Sequence, residues 1–282
     1  MNPAGPRYTA RGEFFLCIAR ALAVPDPDGA YNAFTRYLAD DLAELGRELG
    51  YRIDDEIAAL RASLNGMPDG LALLQLYAGL FLTPPVPVHL NAVVYLDDAV
   101  LGGSEFAMQQ LYARHGLARR DDFRDLPGHV TAQLEFVSEL FGRAAERMRA
   151  AAAMDALAHA AEARRFLAAF PHRWLPPMQA ALARACRDRS LATPYLHLIN
   201  VLRNAIEAEI AQDARHSADD VVASYPVGST RGIGEPSAED LAEIAVRLEA
   251  HGLSFDHVRA RPEWSDEVFT RYCANLAAIA YD

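Results

Sequence analysis

The chain has 282 residues, of which 51% are hydrophobic and 23% are charged, so it is long enough to bury a sizeable core. Its formal net charge is −11, from 38 acidic and 27 basic residues. That balance argues against a nucleic-acid-binding protein, which needs a basic face for phosphates, and it is compatible with a cationic peptide as partner. All 27 basic residues are arginine, and the absence of lysine excludes a Walker-type phosphate loop and catalysis by a lysine nucleophile or base.

The cysteines and the N-terminus bear on the cellular compartment. Cys17, Cys186 and Cys273 form no CxxC pair, which indicates buried thiols in a reducing compartment rather than a disulfide framework or a zinc site. Residues 1–8 lack the basic start and apolar core of a secretion signal, and no apolar run approaches the ~18 residues that span a bilayer. We therefore expect a cytoplasmic protein without stable membrane insertion.

Apolar residues recur every three or four positions along most of the chain, which predicts amphipathic helices. The first predicted helix carries Phe14, Phe15, Ile18 and Leu22 and ends before Pro25. The next three run from an Asp28 cap to Gly50, from an Asp54 cap to Leu64, and from Pro68 to Phe81. Three prolines between Thr83 and His89 exclude a helix interior there.

The second half of the chain continues the helical pattern. Ser104 caps a predicted helix that ends at His115, and Pro127 begins a long helix through Met148. Pro171, Pro176 and Pro177 interrupt the pattern around Trp174, and helices follow from Met178 to Cys186 and from Tyr195 to Ile206. Because no alternating strand pattern and no fixed-period repeat occur, the fold class is predicted to be all-α, a multi-helix bundle with about ten helices.

A change in composition near residue 213 divides the chain. Residues 213–236 are rich in Ser, Gly, Pro and Asp, which predicts a linker or surface loop. The Ser237-Ala-Glu-Asp240 run then looks like a capping box ahead of new helices. We therefore expect an all-helical domain over 1–212 and a C-terminal helical extension over 237–282.

Patterns of catalytic or metal-binding residues are weak. The nine histidines include no HExxH motif and no pair at ligand spacing on one helix, so no metal site and no cofactor are predicted. No GxSxG elbow supports a nucleophilic serine. The glycine-rich run from Gly228 to Gly234 follows no predicted strand, which favours a mobile loop over a phosphate cradle.

Two features admit both a binding role and a structural role. Glu135 and Glu139 lie four residues apart on one helix face, either as a solvated face or as an anionic lip for an arginine-bearing peptide. Trp174 lies among prolines, where it either fills the core or lines a groove.

One segment carries a family resemblance. Residues 125–137, Asp-Leu-Pro-Gly-His-Val-Thr-Ala-Gln-Leu-Glu-Phe-Val, resemble the central motif of the TorD/DmsD/NarJ-like redox-enzyme maturation chaperones. The run from Tyr77 to Pro85 that leads to Val94-Tyr95, and the run from Phe166 to Pro176, resemble two further family segments in the family order. The likeness covers most of the chain from Phe14 to about Asp213.

The resemblance implies a function without catalysis. Members are all-helical cytoplasmic chaperones that bind the catalytic subunit of a molybdenum-cofactor enzyme of the dimethyl-sulfoxide-reductase type, or its twin-arginine signal peptide, until the cofactor is inserted. The resemblance leaves open a nitrate-reductase-type chaperone with a membrane-docked client, and a homodimer. Without it, the residues alone also allow a helical adaptor or scaffold and, as the weakest alternative, a small-molecule enzyme.

The chain departs from the family pattern at three places. The family's Pro-Asp-His becomes Pro127-Gly128-His129, so the acidic residue that the family uses for signal peptides is missing. The family's Tyr-Glu-Ser becomes Asn91-Ala92-Val93, and its histidine before the tryptophan becomes Phe170. Either the client lacks a standard signal or this chain recognises it differently.

The predicted client site lies where three helix interruptions meet. We expect a groove bordered by residues 81–89, by Pro127–His129 and by the prolines around Trp174. Tyr77, Phe81 and Trp174 are the predicted apolar anchors. Glu135 and Glu139 are predicted to receive arginine, and His129 to border the groove and tune affinity with pH.

Overall fold

A computed structural model describes residues 4–25, 36–96, 103–117 and 127–214. The described residues form ten α-helices and no strand, which confirms the all-α prediction. The helices are α1 (Ala4–Ala21), α2 (Leu38–Leu49), α3 (Asp54–Asn65), α4 (Gly70–Phe81), α5 (Val93–Leu96), α6 (Gly103–Arg114), α7 (Val130–Arg149), α8 (Ala153–Ala169), α9 (Pro171–Arg189) and α10 (Pro194–Ala214).

The pairing of α1 with α7 forms the centre of the bundle. Phe15 of α1 stacks on Phe141 of α7, with ring centroids 6.0 Å apart. The two backbones approach closely at Gly12, where an added Cβ would lie 3.1 Å from the Ser138 carbonyl oxygen. The small residue therefore permits a tight crossing of α1 and α7.

Most predicted helix ends agree with the structure to within a few residues. Gly50 ends α2 in the left-handed conformation with φ 76°, as its position predicts. Asp54 is the first residue of α3 rather than its cap. Helix α4 begins at Gly70 rather than at Pro68, and Asp69 caps it by accepting from Ala72 N. Ser104 lies inside the first turn of α6.

A larger difference concerns the prolines after Trp174. The interruption predicted around Trp174 is wrong, because α9 is one helix with Pro176 and Pro177 inside it. Each proline removes the bond to a carbonyl four residues earlier, here on His172 and Arg173. Both of those residues are exposed, so water can satisfy the freed carbonyl groups.

The Ala-rich stretch after α7 contains a turn that composition does not indicate. Residues Ala150–Ala152 separate α7 from α8, and Ala151 adopts φ 59°. The turn lets α8 pack back against α7. Phe136 of α7 and Phe166 of α8 meet across this hairpin, with ring centroids 4.8 Å apart.

A buried polar cluster holds α10 against the bundle. Glu209, fully buried, accepts from Arg11 Nε at 2.6 Å and from Tyr51 at 2.7 Å through one oxygen. Its other oxygen accepts from Arg164 Nε at 2.9 Å. Side chains from three separate parts of the chain therefore converge on one carboxylate of α10.

Several predictions fall outside the described residues. These are the Asp28 cap, Cys273 and the division of the chain into a linker over 213–236 and an extension over 237–282, although α10 itself continues to Ala214. Cys186 is buried and Cys17 is half-buried, and both thiols are free. Within the described ranges, no helix is long and apolar enough to cross a bilayer.

Candidate functional site

An isolated antiparallel bridge between Asn91 and His129 ties the loop before α5 to the start of α7. Because His129 is extended, with ψ 138°, α7 begins at Val130 and not at Pro127 as the proline predicts. Pro127 and Gly128 lie in the preceding turn. The bridging bonds run from Ala92 N to Gly128 O and from Val130 N to Leu90 O, both at 2.9 Å.

His129 is the N-cap of α7 rather than a residue of its first turn. Its Nδ1 accepts from Thr131 N at 3.3 Å and lies 2.7 Å from Thr131 Oγ1. An Nδ1 that accepts a backbone N–H carries a lone pair, so the neutral ring carries its hydrogen on Nε2. The ring thus satisfies one of the free amide groups at the helix start, and the side chain remains only half-buried.

Gly128 is enclosed by the segment that precedes α5. A Cβ built on Gly128 would lie 2.6 Å from Asn91 Oδ1 and 2.6 Å from Val93 Cγ2. The Asn91 amide is itself held, because its Oδ1 accepts from Val93 N at 3.1 Å and so caps α5. The two departures from the family motif, at Gly128 and at Asn91–Val93, are therefore in direct contact.

Gln133 connects this turn to α9. It is fully buried, its Nε2 donates to Gly128 O at 2.8 Å, and its Oε1 accepts from Trp174 Nε1 at 2.9 Å. Every polar atom of the Trp174 side chain is thus satisfied inside the protein. This set of bonds links two of the predicted borders of the groove, the α7 start and Trp174, to Leu90–Ala92, which directly follow the third predicted border, residues 81–89.

Tyr112 of α6 fixes the same turn from another side. Its hydroxyl donates to Pro127 O at 3.0 Å. Burial, and then the negative charges of Glu105 and Glu135, raise the pKa of the Tyr112 phenol. The hydroxyl therefore stays protonated and keeps its role as a donor.

The three predicted apolar anchors lie in the core. Trp174 is 0%, Tyr77 2% and Phe81 6% exposed. Tyr77 and Phe81 pack edge-to-face on each other and on Tyr195, and the Tyr77 hydroxyl donates to Leu22 O at 3.2 Å. In this conformation these rings support the surface without forming part of it.

The apolar side chains that are exposed near Tyr77, Phe81 and Trp174 are those of residues in the adjacent loop and in α5. Leu82, directly after α4, is 51% exposed, and Val94 in α5 is 45% exposed. Pro84 and Pro85 between them are also exposed. The sequence predicts the aromatic residues beside this loop as anchors because their rings are large, whereas in the structure the accessible surface belongs to smaller residues.

Glu135 and Glu139 are both exposed on α7, as the helical spacing predicts. Glu139 Oε1 lies 2.7 Å from Arg143 Nε in an i,i+4 ion pair, and Arg143 also donates to His115 O at 2.9 Å. An arginine from outside would compete with Arg143 for Glu139.

Two residues of the site were not selected from the sequence. Asn91 and Gln133 hold the turn together, yet neither belongs to a chemical motif. Gln133 carries one signal, a polar side chain on the apolar stripe between Val130 and Leu134, which indicates a buried hydrogen bond. The contact partners of Asn91 depend on the fold and leave no sequence signal.

The described residues contain no group of three or more His, Cys, Asp or Glu side chains that could hold a metal ion. Comparison with known proteins gave no match to a curated protein and no match to a solved structure. A family model does match residues 47–180, a little under half of the chain, and that range contains all seven predicted site residues. It supports, at a coarse level, the resemblance to molybdoenzyme maturation chaperones. Over that range the chain is similar to the nitrate reductase delta subunit family.

Proposed function

We propose that this protein is an assembly chaperone for the catalytic subunit of a molybdenum-cofactor enzyme, and that it acts in the cytoplasm by binding rather than by catalysis. The observation that carries the proposal is the match of residues 47–180 to the nitrate reductase delta subunit family, together with the three motif segments in family order. The all-helical fold is consistent with it.

The client surface that we propose is centred on the bridge between Asn91 and His129. The exposed loop from Leu82 to Pro85 and Val94 provide apolar area, and Glu135 provides negative charge. Tyr77, Phe81, Gln133 and Trp174 hold that surface in place from below. A loop ordered in this way loses little conformational entropy when it binds.

The turn at Gly128 supports our proposal for the type of client. The acidic residue that the family uses for twin-arginine signals has no room there, because Asn91 and Val93 enclose the Gly128 Cα. With the family match, this favours a nitrate-reductase-type client over an exported enzyme of the dimethyl-sulfoxide-reductase type. Recognition of a twin-arginine peptide through Glu135 and Glu139 is the second candidate, supported by the exposure of both carboxylates.

A capture assay from the native organism tests the function. We expect the tagged full-length chain to retain a molybdoenzyme catalytic subunit, identified by mass spectrometry. Glu135→Gln should reduce capture, whereas Glu146→Gln, an exposed change on the same helix, should not. Recovery of no molybdoenzyme subunit, with the protein folded and in excess, would contradict the proposal.

The role of His129 needs a variant that keeps the helix cap. His129→Ala removes the N-cap and is expected to cost about 0.5–2 kcal/mol of stability, which would obscure any effect on binding. His129→Asn retains a capping oxygen, so reduced capture by this variant at an unchanged melting temperature would indicate direct contact with the client. Full capture by His129→Asn would show that His129 acts only as the N-cap of α7.

A further inference from the structure

The outer face of α9 carries a row of arginines on an otherwise acidic protein. Arg173, Arg184 and Arg187 are exposed, and the helical period places them on one line with Pro177 and Ala180, opposite the buried face of Trp174. The first and last of them are about 21 Å apart along the axis, at ~1.5 Å per residue. This row is defined here as the arginine stripe.

The arginines of the stripe have no acidic partner in the described part of the chain. None of the three takes part in the ion pairs among the described residues, although Arg11, Arg61, Arg143, Arg164, Arg165 and Arg203 all do. Asp188 is the one acidic residue within α9 itself. Three exposed arginines that form no ion pair with the described residues, in a chain of net charge −11, are an attractive surface for an acidic segment.

The C-terminal sequence has the complementary charge. Residues 215–282 contain 12 acidic and six basic residues. Within them, the stretch 237–250 contains Glu239, Asp240, Glu243 and Glu249 but only one arginine, and its Leu241, Ile244 and Leu248 recur at helical spacing. Acidic side chains beside an apolar row match a surface on which arginines flank Pro177 and Ala180.

The direction of α10 allows the C-terminal sequence to reach the arginine stripe. α9 and α10 are joined by a short turn and run antiparallel, as shown by bonds from Gln179 to Asn200 at 2.6 Å and from Arg203 to Gln179 at 2.6 Å. The end of α10 at Ala214 therefore lies toward the beginning of α9, which is the end of the helix that carries Arg173. A random coil of 22 residues, the number between 215 and 236, spans roughly 25 Å, which is comparable to the length of the stripe.

We propose that the arginine stripe of α9 is an intramolecular docking surface for the acidic segment 237–250 of the same chain. The contact is held by ion pairs at the surface, so it is weak, reversible and sensitive to salt. A partner with a more acidic or more extended surface would displace the segment. Until such a partner is present, the segment 237–250 covers the arginine stripe.

Trypsin provides a direct test on the full-length protein, because the chain contains arginine and no lysine. Cleavage after Arg247 reports on the docked segment, and cleavage after Arg231, outside it, is the internal reference. We expect Arg184→Gln/Arg187→Gln to raise the ratio of these two rates by about threefold or more, since cleavage follows the undocked population. Added salt should act in the same direction.

A thermodynamic cycle and a matched control identify the contact. Glu239→Gln/Glu243→Gln should raise the same ratio, and combining all four changes should raise it no further than either pair alone. Arg147→Gln/Arg149→Gln, an exposed arginine pair at the end of α7, should leave it unchanged. The proposal is overturned if the effects of the two pairs on the cleavage ratio add, if the control pair has an equal effect, or if no variant changes the ratio. It is also overturned if the variants change only self-association, measured by sedimentation, because the stripe would then bind a second copy of the chain.

Discussion

At the scale of single residues, the turn before α7 is determined by the absence of a side chain. Gly128 lies against Asn91 and Val93, its carbonyl oxygen accepts from Gln133, and no positive φ is involved. Glycine is therefore required for close approach rather than for backbone freedom. The same contact leaves no room for the acidic side chain that the resembled chaperones carry at this position.

Gly128→Ala should lower the free energy of unfolding by about 1–3 kcal/mol, because the new methyl group overlaps Asn91 Oδ1 and Val93 Cγ2. Gly142→Ala is the matched control, since a Cβ at this α7 position meets nothing within 4 Å and should stabilise the helix by about 0.5–1 kcal/mol. Urea denaturation measures both. Equal effects of the two variants would show that the turn can open to admit a side chain.

At the scale of helices, the bundle is locked where α10 crosses α1 and α8. The Glu209 carboxylate accepts hydrogen bonds from Arg11, Arg164 and Tyr51, and Arg11 is only 5% exposed. The hydrophobic faces alone would allow α10 to slide along its neighbours. The buried ion pairs allow one register, because displacement would leave charges without partners.

Glu209→Gln should destabilise the protein by about 3–5 kcal/mol, because it leaves the Arg11 guanidinium buried without a counter-charge. Glu207→Gln, two residues away on the same helix, removes a half-exposed pair with Arg203 and should cost less than about 1 kcal/mol. Chemical denaturation of both variants gives the comparison. A cost at Glu209 no larger than that at Glu207 would mean that water reaches the cluster.

The contact between α6, α7 and α8 should make stability depend on pH. Burial lowers the pKa of His159 from its ordinary 6.5, and the nearby His115, Arg143 and Arg147 add to the effect while Asp155 opposes it. The folded protein therefore binds this proton less readily than the unfolded chain. The contribution of neutral His159 to the free energy of unfolding is fully present above pH 6.5. It is lost as the pH falls from 6.5 through the lowered pKa of the folded state.

His159→Gln tests this dependence, because the variant cannot be protonated at that position. Urea midpoints measured from about pH 8 to about pH 5 should fall less steeply for the variant than for the wild type. His172→Gln, an exposed histidine on α9, is the control and should leave the slope unaltered. Identical slopes for His159→Gln and the wild type would assign the acid sensitivity to other groups.

At the scale of the whole molecule, two surfaces with different chemistry lie on opposite sides of Trp174. One is the apolar and acidic surface around the bridge of Asn91 and His129, which we propose for the client. The other is the arginine stripe on the outer face of α9. The tryptophan between them is bonded to Gln133 and is inaccessible from either side.

We expect the purified full-length protein to carry no stoichiometric metal. The sequence has no ligand-spaced set of Cys and His residues, and no suitable cluster occurs within the described ranges. Elemental analysis after gel filtration is the measurement. About one tightly held zinc, iron or molybdenum per chain would contradict the expectation.

The sequence by itself determined the fold class and most helix ends. The helices follow from the spacing of the apolar residues that must be buried. The helix ends at Gly50 and at the prolines near residue 85 follow from local backbone geometry. Neither prediction requires knowledge of how the helices pack. The exposed positions of Glu135 and Glu139 follow from the same periodicity.

Only the tertiary structure decided where α7 begins, whether α9 is continuous and which site residues are accessible. Pro127 is a favourable first residue for a helix, but the bridge to Asn91 holds His129 extended, and water can satisfy the carbonyl groups freed by Pro176 and Pro177. Trp174 is equally compatible with a groove and a core until Gln133 is placed beside its indole nitrogen. Contacts between distant segments have no local signature, because they depend on how the helices pack.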